Sequence, residues 1–245
     1  MNIVKYKKLK DGFYNIELDN KKNIIIHEDL ILKHDLLLKK KLSKQELKSV
    51  LDENSIYLAY NKALRSLTTK MRCIKDIKEL LSKDEVDDNI IEDVVTKLVN
   101  QGYLDDKKYC IAYINDRINL SMDGPLKIIN SLKNNNIKEE YISDAIKVFT
   151  KEIEEERIKK IINKSISKND KNGSALLKQK IQISLFNLGY SQECIYSCLN
   201  DFQYNDEEIY KKEYDKLYKK LSQKYSGNEL EYRIKQKMYQ KGFRQ

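Results

Sequence analysis

One stretch of this chain can be laid over itself again and again, and that constrains the fold more than any other feature. From residue 77, apolar side chains stand at Ile77, Leu81, Val86, Ile91, Val95 and Leu98. A shift of 51 residues meets Ile128, Leu132, Ile137, Ile142, Ile146 and Phe149, and a further 53 meets Ile181, Leu185, Tyr190, Ile195, Leu199 and Phe202. Another 53 meets Ile234, Met238 and Phe243 before the chain ends. These spacings describe a helix, a tight turn and a second helix. One more helical stretch precedes each block, over 56–67, 107–119, 154–167 and 206–221. The unit is therefore three helices in about 50 residues, a length typical of helical repeats. It occurs three times in full and once without its last helix. No such unit buries much apolar surface alone, so neighbours are expected to stack into an elongated, curved array.

The composition fits. Among 245 residues there are 7 Gly, 1 Pro and no Trp, with 35% charged, which favours helix. Gly102, Gly124, Gly173, Gly189, Gly227 and Gly242 all fall between predicted helices, where positive φ is tolerated. Pro125 follows Gly124 in the first turn of a helix, where its missing N–H costs nothing. Residues 3–27 differ from the rest. Short β-prone pieces, broken by Asp11-Gly12 and by 19–23, predict a small antiparallel meander packed on the helices that follow. Ser43-Lys44-Gln45-Glu46 reads as a capping box opening a helix over 46–53. The expected fold is mainly α, with a β-rich N-terminal extension and linking helix over 1–53. Three-helix repeats follow at 54–104, 105–151 and 152–204, with a partial fourth at 205–245.

The residues argue against metal or nucleophile chemistry. Cys194 and Cys198 are four apart on a helix, yet the same repeat positions carry Tyr141 and Ala145, then Ile90 and Val94, so they read as core thiols. Cys73 and Cys110 are isolated, as are His27 and His34, and no phosphate loop, dinucleotide turn, zinc-helix pair or nucleophile elbow occurs. No cofactor and no enzyme activity are expected. Asp105 and Asp106 could be paired catalytic carboxylates, but reading them as caps of the next helix is simpler. The 17 Tyr could offer stacking platforms for bases, although several, such as Tyr190, stand at core positions. Four cysteines and no leading apolar segment suggest a reduced cytoplasmic protein without a membrane span.

The net charge of +9 suggests an anionic partner, although Lys, Ile, Asn and Tyr are abundant together, as an AT-rich genome would dictate. Its distribution says more. Residues 57–78 carry +5, 79–106 −7, 107–138 +4, 139–156 −5, 157–192 +7, 193–210 −5 and 211–245 +7. The first two helices of each unit are basic, and the third with its linker is acidic. Stacked in register they would form a basic stripe beside an acidic one. The bland alternative is that opposite stripes neutralise each other between neighbours. Lys62, Arg65, Lys70, Arg72, Arg117, Lys127, Lys178 and Lys180 are the candidate partner- and DNA-binding residues.

Ala63-Leu64-Arg65-Ser66-Leu67, Ile77 to Leu81, Gly102 to Asp106, Tyr113 to Arg117 and Gly124 to Ile129 together resemble the RecX family of recombination regulators. The resemblance covers 54–150 well and thins through the third and fourth units. Cys73-Ile74-Lys75-Asp76 stands where family members often have a Ser-Glu pair. Asp84 or Glu85, and Asn135 or Asn136, stand in place of turn glycines. The resemblance implies a cytoplasmic, non-enzymatic monomer lying in the groove of a RecA filament on DNA. There it would restrain recombinase activity in DNA repair, recombination and the SOS response. A general nucleic-acid-binding helical protein without a recombinase partner is the alternative, and a helical scaffold for an unrelated protein a third.

Overall fold

The computed structural model describes residues 1–39, 41–200 and 202–244. The chain divides into two compact units, Met1–Tyr109 and Cys110–Gln245.

The first unit opens with the expected meander, β1 (Ile3–Lys8), β2 (Phe13–Leu18) and β3 (Asn23–His27), paired antiparallel in the order β1-β2-β3. Asp11 and Gly12 both take positive φ at the first turn, as a tight hairpin requires. Strand alternation decides which face is buried: Ile24 and Ile26 point inward while Ile25 is exposed. The inner face joins Leu30 and Ile31 of α1 (Glu28–Lys33) and Leu47 and Val50 of α2 (Lys44–Thr69) in one core.

Helix α2 starts at the expected capping box. Ser43 Oγ accepts from the Glu46 N–H at 3.1 Å, and Glu46 Oε2 accepts from the Ser43 N–H at 2.9 Å. It then runs unbroken through 54 and 55, where the sequence suggested a gap between two helices. The reason is Asn54, which is 1% exposed. Its Oδ1 accepts from the His27 N–H at 3.0 Å and its Nδ2 donates to the Ile25 carbonyl at 2.7 Å. A residue with weak helix propensity is held by pairing with β3. The C-terminal half of α2 packs with α3 (Ile74–Ser82) and α4 (Asp88–Asn100) around Ala63, Ile77, Leu81, Ile91 and Leu98.

The division between units falls within α5 (Asp106–Leu120). The second unit continues with α6 (Pro125–Asn134), α7 (Glu139–Ala145), α8 (Lys151–Ser167), α9 (Ser174–Leu188), α10 (Gln192–Asn200), α11 (Glu207–Leu221) and α12 (Gly227–Gln240), with a 3-10 turn at Ile146–Val148. The helical repeat is therefore present. Of the repeat positions read from the sequence, all but Val86, Ile146 and Phe202 are buried, and those three are half-buried.

Within the second unit, successive middle helices meet head to tail. The Gly124 and Leu126 N–H groups at the start of α6 donate to the Leu188 and Gly189 carbonyls at the end of α9, at 2.7 and 2.9 Å. The Gly173 and Ala175 N–H groups at the start of α9 donate in the same way to Lys241 and Gly242 after α12, at 2.8 and 3.2 Å. Orphan donors of one helix thus meet orphan acceptors of another. Gly124 and Gly173 do not serve positive φ, as their place between helices suggested, since their φ values are −82° and −72°. They serve close approach: a Cβ on either would lie 2.5 Å from the backbone of Gly189 or Gly242. Pro125 begins α6 as expected.

Candidate functional site

The basic candidates fall into two groups by unit. In the first unit, Lys62 and Arg65 lie on α2, and Lys70 and Arg72 on the loop after it. Lys62 pairs with Asp84. Arg65 grips Asp11 at the β1–β2 turn, its Nε and Nη2 donating to Oδ2 at 2.8 and 2.5 Å. That hydrogen bond and the guanidinium charge hold the Asp11 carboxyl below its usual range. The pair borders a cleft of about 340 Å³ whose lining includes Phe13, Tyr57 and His27, the last two stacked with centroids 4.5 Å apart. Lys70 is exposed, and the Arg72 Nε donates to the Ser66 carbonyl at 3.3 Å.

In the second unit, Arg117 and Lys127 converge on Asp123, at 3.6 and 2.7 Å. Burial pushes the Asp123 carboxyl up, but the Lys127 hydrogen bond and the two cations outweigh it and leave it below the ordinary value. Lys178 and Lys180 lie on α9, where Lys180 donates to Asn172 Oδ1 at 3.0 Å. Half of the candidates are thus already ion-paired inside the protein. Among the described residues Lys70, Arg72, Lys178 and Lys180 have no carboxylate partner.

Several sequence features prove structural. Asp105 caps α5, its Oδ1 accepting from the Lys107 and Lys108 N–H groups at 2.9 and 3.0 Å, and those backbone bonds lower its pKa. Asp106 turns to another helix, accepting from the Ile74 N–H at the start of α3 at 2.9 Å, while burial raises its pKa. The two carboxylates thus serve two different helix ends. Cys73, in place of a family serine, keeps a capping box with Asp76: Sγ accepts from the Asp76 N–H and the Asp76 carboxylate from the Cys73 N–H. Burial pushes its thiol up to about 11, which leaves it protonated. Cys194 is buried and Cys198 half-buried, both with thiol pKa values raised by burial. Among the described residues no cluster of metal-ligating side chains occurs, and no helix is long and apolar enough to cross a membrane.

Arg157 is the basic residue whose role the charge sums conceal. It is 7% exposed, and its guanidinium donates to the Ile118 carbonyl at 3.0 Å, the Asp123 carbonyl at 3.1 Å and the Ser121 carbonyl, all near the C-terminal end of α5. A cation there satisfies orphan carbonyls and complements the helix dipole. Beside it the Tyr190 hydroxyl donates to the Met122 carbonyl at 2.9 Å, and Glu154 Oε1 accepts from the Ser191 N–H before α10 at 2.6 Å.

The α11–α12 hairpin was not among the candidate residues. Lys211, Lys212, Lys219, Lys220, Lys224, Lys235 and Lys237 are all exposed there, without a carboxylate partner among the described residues. Tyr210, Tyr214 and Tyr218 stack in a ladder along α11, with centroids 6.1 and 6.4 Å apart. The +7 charge of 211–245 and the four-residue tyrosine spacing were both visible in the sequence. Which rings reach solvent was not.

Residues 59–98 match the family model described as RecX, first three-helix domain. Over 224 residues the chain is 30% identical to the regulatory protein RecX of Bacillus cereus, spanning 89% of this chain and 82% of that one. The chain belongs to the RecX family. Similarity to the Bacillus cytotoxicus RecX is 27% over 246 residues, 97% of this chain and 90% of that one. A crystal structure of regulatory protein RecX superposes with a TM-score of 0.63 at 28% identity, covering 82% of this chain and 99% of the other. The RecX of Lactobacillus salivarius, at 23% identity and a TM-score of 0.55, supports the fold, covering 61% of this chain and 97% of that one. The two Bacillus relatives and the first of these structures are named as regulatory proteins, and the match extends well beyond the region where the motifs are sharpest.

Proposed function

We propose that this protein is a non-enzymatic, cytoplasmic regulator that binds the RecA nucleoprotein filament, in its groove, and restrains recombinase activity in DNA repair and recombination. The observation that carries this reading is membership of the RecX family over most of the chain. The charge pattern supports it: basic first and second helices suit DNA phosphates, and acidic third helices suit basic recombinase segments. The division into an N-terminal extension, three repeats at 54–104, 105–151 and 152–204 and a partial fourth at 205–245 is part of the same proposal, as is action as a monomer.

Among the eight candidate residues, those without an internal carboxylate are the ones free to meet a partner. Charge reversal at Lys70, Lys178 and Lys180 is expected to weaken inhibition of the cognate RecA in ATPase and strand-exchange assays while circular dichroism stays unchanged. Reversal at Lys62 or Arg65 would also break the ion pairs to Asp84 and Asp11, so those variants report stability as well as binding. Inhibition that survives the triple reversal removes the basic stripe from the mechanism. A wild-type protein that leaves strand exchange untouched, yet binds bare DNA with a steep salt dependence, would favour a general nucleic-acid-binding role instead.

A further inference from the structure

The second unit ends in a groove that the eight candidate residues do not include. Between α11 and α12 lies a cleft of about 390 Å³ lined by Tyr210, Tyr232, Lys235, Gln236, Tyr239 and Phe243, with Met238 at its base. Tyr232 and Tyr239 are 68% and 62% exposed, unusual for rings of this size. They stand seven residues apart on α12, with Lys235 and Gln236 between them, so all four share one helix face and the two rings are separated by about 10 Å along the axis. Arg244 lies over the Tyr239 ring at 3.7 Å and donates to the Tyr239 carbonyl at 2.8 Å, which pins that ring and places a cation at the rim. Phe243 closes one end edge-on to Tyr210.

The charge around this groove decides what it fits. Of the acidic groups on these two helices, Glu213 is buried and taken by Lys216 and Lys241 and Glu229 by Arg233, while Glu207, Glu208, Asp215 and Glu231 are exposed but do not line the cleft. Lys235 lines the cleft and is exposed without a carboxylate partner among the described residues. Exposed rings, with an arginine over one face of Tyr239 and a lysine without a carboxylate partner beside them, select a ligand that is both anionic and able to offer flat faces. A duplex keeps its base faces covered by stacking, whereas a single strand does not.

We propose that the α11–α12 groove is a binding site for single-stranded DNA, with bases stacking on Tyr232 and Tyr239 and phosphates meeting Lys235 and Arg244. This rests on the reading that the protein meets DNA, and it names where and in which form. The test uses the full chain and a labelled oligothymidylate, with the duplex and the RNA of the same length as competitors. Single-stranded DNA binds more tightly than either. Tyr232→Ala and Tyr239→Ala each weaken it on the order of tenfold, whereas Phe at both positions restores affinity. Lys235→Glu lowers the slope of log affinity against log salt by roughly 0.7 for the phosphate left without its lysine. Circular dichroism separates these effects from unfolding.

Preference for duplex or RNA, or single-strand affinity unchanged in the double alanine variant, overturns the proposal. So does a double alanine variant that loses RecA while keeping DNA, which would make the groove a protein-binding surface. The two readings fail separately. A wild-type protein inert toward RecA ends the regulator reading but leaves the groove standing if its single-strand binding depends on the two rings.

Discussion

Helices α3 and α9 are middle helices of the first and third repeats, and they begin alike and unlike. Each has its first N–H held by an aspartate from the opening of a later helix, Asp106 bonding the Ile74 N–H and Asp206 the Ser174 N–H, at 2.9 and 2.6 Å. The preceding residue differs. Cys73 caps α3 with its own sulfur, whereas Gly173 has no side chain and its place is filled by the main chain after α12. A helix start can be closed by a side chain or by another backbone, and the second solution admits only glycine. Gly124 at the start of α6 repeats the second solution against Gly189.

The sharpest way to break this comparison is to put a β-branched residue at both kinds of position. Gly173→Val drives Cβ into the Gly242 backbone and should cost about 3 kcal/mol or more, from overpacking and the loss of two backbone hydrogen bonds. Cys73→Val adds about one methyl group and loses a weak cap, at about 1–2 kcal/mol. Urea midpoints of the two variants measure the difference, and equal losses would show that the glycine is not what distinguishes the seams. Next in size is Arg157→Met, which keeps the buried volume but orphans carbonyls near the end of α5. About 2–3 kcal/mol should be lost, and a neutral result would mean water replaces the guanidinium.

A smaller effect concerns acid. Hydrogen bonds from Lys216 and Lys241 hold the buried Glu213 carboxyl below its usual range. A carboxyl depressed in the folded state stabilises above its unfolded pKa, and that contribution disappears as pH falls through the folded value. Glu213→Gln should therefore cost about 1 kcal/mol at neutral pH and nothing at strongly acid pH, flattening the acid limb of a stability–pH curve. An unchanged acid limb would assign that limb to other carboxylates. The smallest effect has the opposite sign. Glu85 and Asn136 adopt φ of 56° and 57° in the turns where the family often has glycine. Glu85→Gly and Asn136→Gly should each stabilise by roughly 0.5–1 kcal/mol in thermal unfolding, with Glu85 gaining more because Asn tolerates this conformation better.

The repeat was legible because its information is periodic: a buried position such as Leu81, Leu132, Leu185 or Met238 recurs wherever the helix returns to the core. The meander was legible from Asp11-Gly12 and strand alternation. Helix α1 was not, because it follows β3 directly without a polar loop to mark it. Nor was the continuity of α2, since the bonds that hold Asn54 come from a strand far back in sequence. The candidate site was legible as a charge pattern but not as a surface. Lys127 could have been matched to Asp123 one turn away, but Asp11 lies 54 residues from Arg65, and no local rule joins them. Which cations remain available to a partner depends on such pairings. For the same reason the α11–α12 groove was visible as tyrosines and lysines but not as open ring faces.

The head-to-tail meeting of α6, α9 and α12 bears on how such a chain can change over generations. Its seams are made of main-chain N–H and C=O groups, which every residue except proline supplies, and of glycines facing each other. Selection therefore has little to hold fixed at a seam beyond Gly124, Gly173, Gly189 and Gly242. The surrounding side chains can drift provided they stay apolar at the core positions. A joint made of backbone can stay while the side chains around it change, and a lineage could gain or lose a unit without inventing a new joint.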